Sequence, residues 1–204
     1  ARRPLAADFA DRLARCAPAS GDAWYGKAWH AARRADVAAE TEALRRLREV
    51  PLFSDAQVAL ARLWLDALPP RAIFVLPGEV DYVTLRMLQE AGERTDAIIV
   101  ESAALEIPEY VKALRSRHGL PLPFTDAVID SLDDEGEYWG ARVINHWRAL
   151  SHAGTLDRGL AISTTVDSDG FEGPGIFRGN GAHLVLVDTA AAAAPAPVAV
   201  WRRV

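Results

Sequence analysis

Two short, unbroken apolar runs constrain this chain more than any other feature: Ile73-Phe74-Val75-Leu76 and Ala97-Ile98-Ile99-Val100. Continuous runs of that length, rich in β-branched residues, read as strands buried on both faces, and such strands belong to parallel sheets flanked by helices. Between them lie Gly78-Glu79-Val80-Asp81 and a helical stretch over 81–91, with Val83, Leu85, Met87 and Leu88 available to cover the sheet. Strand, helix, strand implies a right-handed parallel crossover, and so an α/β fold.

Upstream the period is helical throughout. Leu5, Phe9, Leu13 and Cys16 share one helical face, which Pro18 ends. Ser20 is a good N-cap for a second helix carrying Ala23, Trp24, Ala28 and Ala31, and Asp36 precedes a third with Val37, Leu44, Leu47 and Val50, closed by Pro51. Ser54 and Gln57 form a capping-box pattern before Val58, Leu60, Ala61, Leu65 and Leu68. Pro69-Pro70 then stops the helical region.

Downstream, Pro108 to His118 is a helix with proline in its first turn and Gly119 behind it. Residues 120–132 read as a proline-containing connection, and a long helix is expected from about Asp133 to Ser151. Strands are expected at 160–166, 183–187 and 198–201, the first two separated by a glycine-rich loop, Asp167 to Gly181. The alanine and proline stretch Ala190 to Pro197 is low in complexity and reads as a surface excursion. The expected architecture is α/β: N-terminal antiparallel helices packed on a mixed, partly parallel sheet in a Rossmann-like three-layer arrangement, with a helical region at 1–68 and an α/β domain at 69–204.

Trp24, Ala28, Leu44, Leu47 and the closing Pro51 give the second and third helices the look of a pair. That pair resembles a tetratricopeptide unit, which implies a surface for peptides or partner proteins.

The turn at Gly78 and Asp81, the helix ending Leu88-Gln89-Glu90 and the strand announced by Asp96 carry a second resemblance. With Gly159 to Val187 they are similar to the soluble C-terminal region of bacterial multi-span, protein O-mannosyltransferase-like membrane proteins. Gly78 and Asp81 carry over residue by residue; Glu79 and Val80 stand where that family has Asp and Asn. The resemblance implies an extracytoplasmic accessory domain rather than a catalyst.

The C-terminal ends of parallel strands are where open α/β sheets bind ligands, and two expected strand ends here carry acids. Glu79, Asp81 and Glu101 would share one mouth if the two strands are neighbours, with Gly78, Thr84 and Ser102 around them. These six are the candidate ligand-binding residues; three carboxylates there could hold a divalent cation or contact sugar hydroxyls. Asp81 also suits a helix N-cap. No residue is assigned a catalytic role, no metal is assigned and no cofactor is expected. Phosphate-loop, dinucleotide and nucleophile-elbow motifs are absent. The five histidines lack ligand spacing, and the lone Cys16 lacks an activating context.

Acidic residues number 28 against 23 basic ones, mixed along the chain for a net charge of −5, which excludes a nucleic-acid footprint. No stretch reaches the roughly 18 consecutive apolar residues of a membrane span. Because the sequence opens on Ala1, it is read as processed or cut from something longer. The expectation is a non-catalytic binding or interaction module of an exported or membrane-associated bacterial protein, periplasmic or extracytoplasmic, with a protein or carbohydrate partner. The alternatives are a carboxylate- or metal-dependent hydrolase or glycosyl-transfer accessory enzyme, a peptide-binding helical-repeat adaptor, and a cytoplasmic location.

Overall fold

The computed structural model of the chain describes residues 3–50, 52–131, 139–166, 171–179 and 183–187. Among them are eight α-helices and a five-stranded sheet, so the chain is α/β. Contacts group it into two compact units: Ala1–Arg62 with Glu79–Thr95, and Leu63–Gly78 with Asp96–Val204.

The first unit holds α1 (Arg3–Cys16), α2 (Gly21–Arg33), α3 (Val37–Glu49), the start of α4 (Asp55–Ala67) and α5 (Glu79–Glu90). Its helix starts follow from local chemistry. The Ser20 side chain accepts from the Ala23 N–H at 3.4 Å, and Asp36 accepts from the Ala39 N–H at 3.1 Å, each satisfying a donor the helix itself cannot. At α4 the capping box forms: the Ser54 N–H donates to Gln57 Oε1 at 2.8 Å and the Gln57 N–H to Ser54 Oγ at 3.3 Å. Small residues line the contact of α2 with α3, where Ala28, Ala31 and Ala43 are buried beside Leu44 and Leu47. The crossover helix α5 packs on α2 and α3. There Arg86 Nε donates to the buried Glu40 carboxylate at 3.0 Å, and the Tyr82 hydroxyl lies 3.4 Å from the same oxygen.

The second unit is built on β1 (Ile73–Leu76), β2 (Ile98–Glu101), β3 (Leu160–Ile162), β4 (Ile176–Gly179) and β5 (Leu184–Val187), in the order β2-β1-β3-β5-β4. Strand β1 is parallel to β2 and β3, whereas β5 runs antiparallel to β3 and β4, making the sheet mixed. One face, formed by Ile73, Val75, Ile98, Val100, Leu160 and Ile162, shares a core with α6 (Pro108–His118) and α8 (Trp139–His152). On the alternate face Phe74 meets Trp64 edge-on and the His183 ring at 5.1 Å. The edge strand β2 is closed off where the Glu101 N–H donates to the Tyr110 hydroxyl at 3.1 Å. Gly119 ends α6 in the left-handed conformation, at φ 65°.

Three expectations change. The connection after α6 contains a short helix, α7 (Asp126–Ser131), started by Thr125, whose Oγ1 accepts from the Val128 N–H at 3.4 Å. The following helix is described from Trp139, and residues 132–138 lie outside the described residues. Strand 160–166 stops at Ile162, because the Ser163 hydroxyl accepts from the Thr165 N–H at 3.3 Å and the Val166 N–H bonds Ser163 O at 3.1 Å, folding the chain into a turn. The glycine-rich loop contains β4, held by its pairing with β5. The expected strand 198–201 and the 190–197 stretch lie outside the described residues.

Candidate functional site

The six residues singled out above are divided between the units. Glu79, Asp81 and Thr84 belong to the helical unit; Gly78, Glu101 and Ser102 belong to the sheet unit. Helix α5 begins at Glu79, so Asp81 lies inside the first turn rather than at the cap, and burial pushes its carboxyl above the ordinary aspartate value. Thr84 is buried, and its hydroxyl donates to Val80 O one turn back at 2.7 Å.

In the sheet unit, β1 and β2 are neighbours, and Glu101 sits beside Leu76 in the register. Glu101 and Ser102 are both buried. Ser102 opens a 3-10 turn, Ser102–Glu106, whose last residue reaches α8: Glu106 Oε1 accepts from the Gly140 N–H at 2.8 Å. Gly78 has room, since a Cβ there would meet nothing within 4 Å.

The strand order moves the focus of this edge. From β1 the chain crosses to β2 on one side and later returns to β3 on the other, so the topological switch point lies between β1 and β3. Its rim is Pro77 and Gly78 on one strand end and Ser163 to Thr165 on the other. Ser163 is buried, its N–H extends the ladder to Val75 O at 2.8 Å, and its hydroxyl lies 2.8 Å from Thr165 Oγ1. Sequence reasoning missed these two hydroxyls because it ran the strand on to residue 166; the signal was the abrupt Ser163-Thr164-Thr165 after three apolar residues.

A different concavity lies wholly within the helical unit. A cleft of about 470 Å³ is lined by Leu47 and Arg48 of α3, Leu52 and Phe53 of the connection, Val58 and Arg62 of α4, Met87, Leu88 and Ala91 along and after α5, and Glu93. Arg48 Nη1 donates to Glu90 at 3.1 Å, and Arg62 Nε donates to both oxygens of Glu93 at 3.1 Å. Gly21 lies close behind one of these residues: a Cβ there would stand 2.7 Å from Leu52 Cβ.

No family model, curated protein or solved structure matches the chain.

Chemically, the two places differ. At the sheet edge the hydroxyls bond each other or the backbone, and no His or carboxylate partner activates Ser163 or Thr165 among the described residues. No group of three His, Cys, Asp or Glu side chains is placed to hold a metal ion among the described residues. The cleft is lined by apolar side chains of α3, α4 and α5 together with Arg48, Arg62 and Glu93, the two arginines each paired with a glutamate.

Proposed function

We propose that this chain is a non-catalytic binding or interaction module of an exported or membrane-associated bacterial protein. The observation that carries the reading is the cleft of the helical unit, lined by Leu47, Phe53, Val58 and Met87 together with Arg48 and Arg62. Its placement outside the cytoplasm rests on the likeness of Gly78, Asp81, Leu88-Gln89-Glu90 and Asp96 to the O-mannosyltransferase-like membrane proteins, and a tetratricopeptide-like role for α2 and α3 rests on Trp24, Ala28, Leu44 and Leu47. No helix of the described residues is long and apolar enough to cross a membrane.

The test pairs ligand-induced stabilisation with a search for turnover. The purified chain is melted with divalent cations, with common saccharides and with a random peptide pool, and is incubated with chromogenic esters, phosphates and glycosides. A binding module gains melting temperature with one ligand class and turns over none of the substrates. Turnover that disappears in Glu101→Gln would replace this reading with the hydrolase one.

A further inference from the structure

We propose that α1 is a self-association surface, on which a second copy of this chain lays its own α1 antiparallel across a two-fold axis. The packing of α1 is the reverse of its sequence pattern. Phe9, Leu13 and Cys16 recur at helical spacing, yet the residues this helix buries are Ala7, Ala10 and Ala14. Helix α2 packs on that alanine side, where a Cβ on Gly26 would stand 3.7 Å from Ala10 Cβ. Phe9 is left 65% exposed, the most of any large apolar side chain among the described residues, with Leu13 half-buried and Cys16 exposed along the same stripe.

Charge identifies what covers it. Beside the stripe the order is Asp8, Asp11, Arg12, Arg15: acids first, arginines last, with no net charge. Asp11 faces Arg34 of α2 at 3.7 Å, whereas Asp8, Arg12 and Arg15 have no hydrogen bond or ion pair among the described residues. Reversing the helix exchanges its acidic end for its basic one. A second copy laid antiparallel therefore puts Asp8 opposite the partner copy's Arg15 and, by symmetry, Arg15 opposite the partner copy's Asp8. That pairing centres the axis between residues 11 and 12, which sets Phe9 within one residue, about 1.5 Å of rise, of the partner copy's Leu13. An unrelated partner would need no such internal order, but a contact that uses one surface twice does.

One face of a 14-residue helix is less than a permanent interface buries. The dimer is accordingly weak, with a Kd of about 10–100 μM. None of these residues lines the cleft, so failure of the dimer leaves the binding-module reading standing.

The test is sedimentation equilibrium of the full chain at low salt, from about 5 to 500 μM, a range that brackets such a Kd. A monomer–dimer equilibrium is expected, and Phe9→Glu raises its Kd about tenfold or more while leaving the melting temperature close to the parent's, because the ring is exposed. Val128→Glu, at an exposed apolar position on α7, leaves the Kd unchanged. Asp8→Arg and Arg15→Asp each weaken the dimer, since each homodimer then sets like charges opposite one another twice. An equimolar mixture of those two variants recovers the parent's affinity, because every opposed pair in the mixed dimer again has opposite signs. A chain that stays monomeric throughout, one that grows beyond a dimer, or a dimer indifferent to Phe9→Glu overturns the proposal. So does a Phe9-dependent dimer that the mixture fails to restore, because the antiparallel pairing is then wrong.

Discussion

Glu106 Oε1 accepts the Gly140 backbone N–H at 2.8 Å, so a carboxylate from the turn after β2 satisfies the start of α8. The two residues fit without slack: a Cβ on Gly140 would lie 2.7 Å from that oxygen and 3.1 Å from Leu105 Cβ. Burial pushes the Glu106 carboxyl above the ordinary glutamate value, opposed by the Gly140 and Trp139 backbone hydrogen bonds.

Gly140→Ala therefore displaces the carboxylate and overpacks Leu105, at a cost of about 1–3 kcal/mol in denaturant unfolding. Glu106→Gln keeps an acceptor and costs less. A raised folded value means the native state holds the proton longer than the unfolded chain, so stability present at low pH declines as pH rises through the folded value. Glu106→Gln should flatten that decline; an unchanged slope would reject the buried carboxyl as its source.

His183 provides the opposite slope. Buried against Phe74, its imidazole is lowered to about 4 by desolvation, with a hydrogen bond to the Ala67 backbone working the other way. The unfolded chain takes the proton first, near 6.5, so its contribution is fully present above that value and is lost as pH falls towards 4. The loss amounts to about 3 kcal/mol. Urea midpoints measured at pH 7.5 and pH 5 should converge in His183→Gln relative to the parent.

Glu40→Ala leaves Arg86 and Tyr82 facing a vacated buried site and costs about 2–4 kcal/mol. Glu40→Leu combined with Arg86→Met should recover most of that loss, because removing both charges removes the desolvation burden together with the attraction. Additive losses in the double variant would show that the pair is not coupled.

Arg148 fastens a loop. Its guanidinium donates to Pro174 O at 2.8 Å, to Gly175 O at 2.6 Å and to Phe171 O at 3.2 Å, and stands 5.2 Å from the Phe177 ring centroid. Lysine has no planar fork, so Arg148→Lys should not restore what Arg148→Ala removes. Hydrogen exchange should quicken at β4 in both variants and stay unchanged at β1 and β2.

What the sequence discloses and what it hides follow from distance along the chain. Strands β1 and β2, the caps at Ser20, Asp36 and Ser54, and the Gly119 stop are all local, and each stands where residue chemistry puts it. Glu40 looks like an ordinary polar position on α3; its burial depends on Arg86, a helix away. Strand β4 has an exposed, weakly patterned sequence and exists because β5 offers a partner. The switch point was hidden for the same reason, since it requires knowing that β3 lies beside β1 and not beside β2.

Neither compact unit is a continuous stretch of chain: the helical one closes only when 79–95 joins 1–62. A fragment ending at residue 62 lacks α5 and with it the partner of Glu40, while a fragment beginning at 63 carries α5 without the helices it buries against. The protein therefore has no cut site that yields two self-sufficient halves. Homologous recombination or domain grafting that treats residue 68 as a seam would transplant half of one hydrophobic core and orphan the rest, whereas an exchange of 79–95 together with 1–62 would move a whole one.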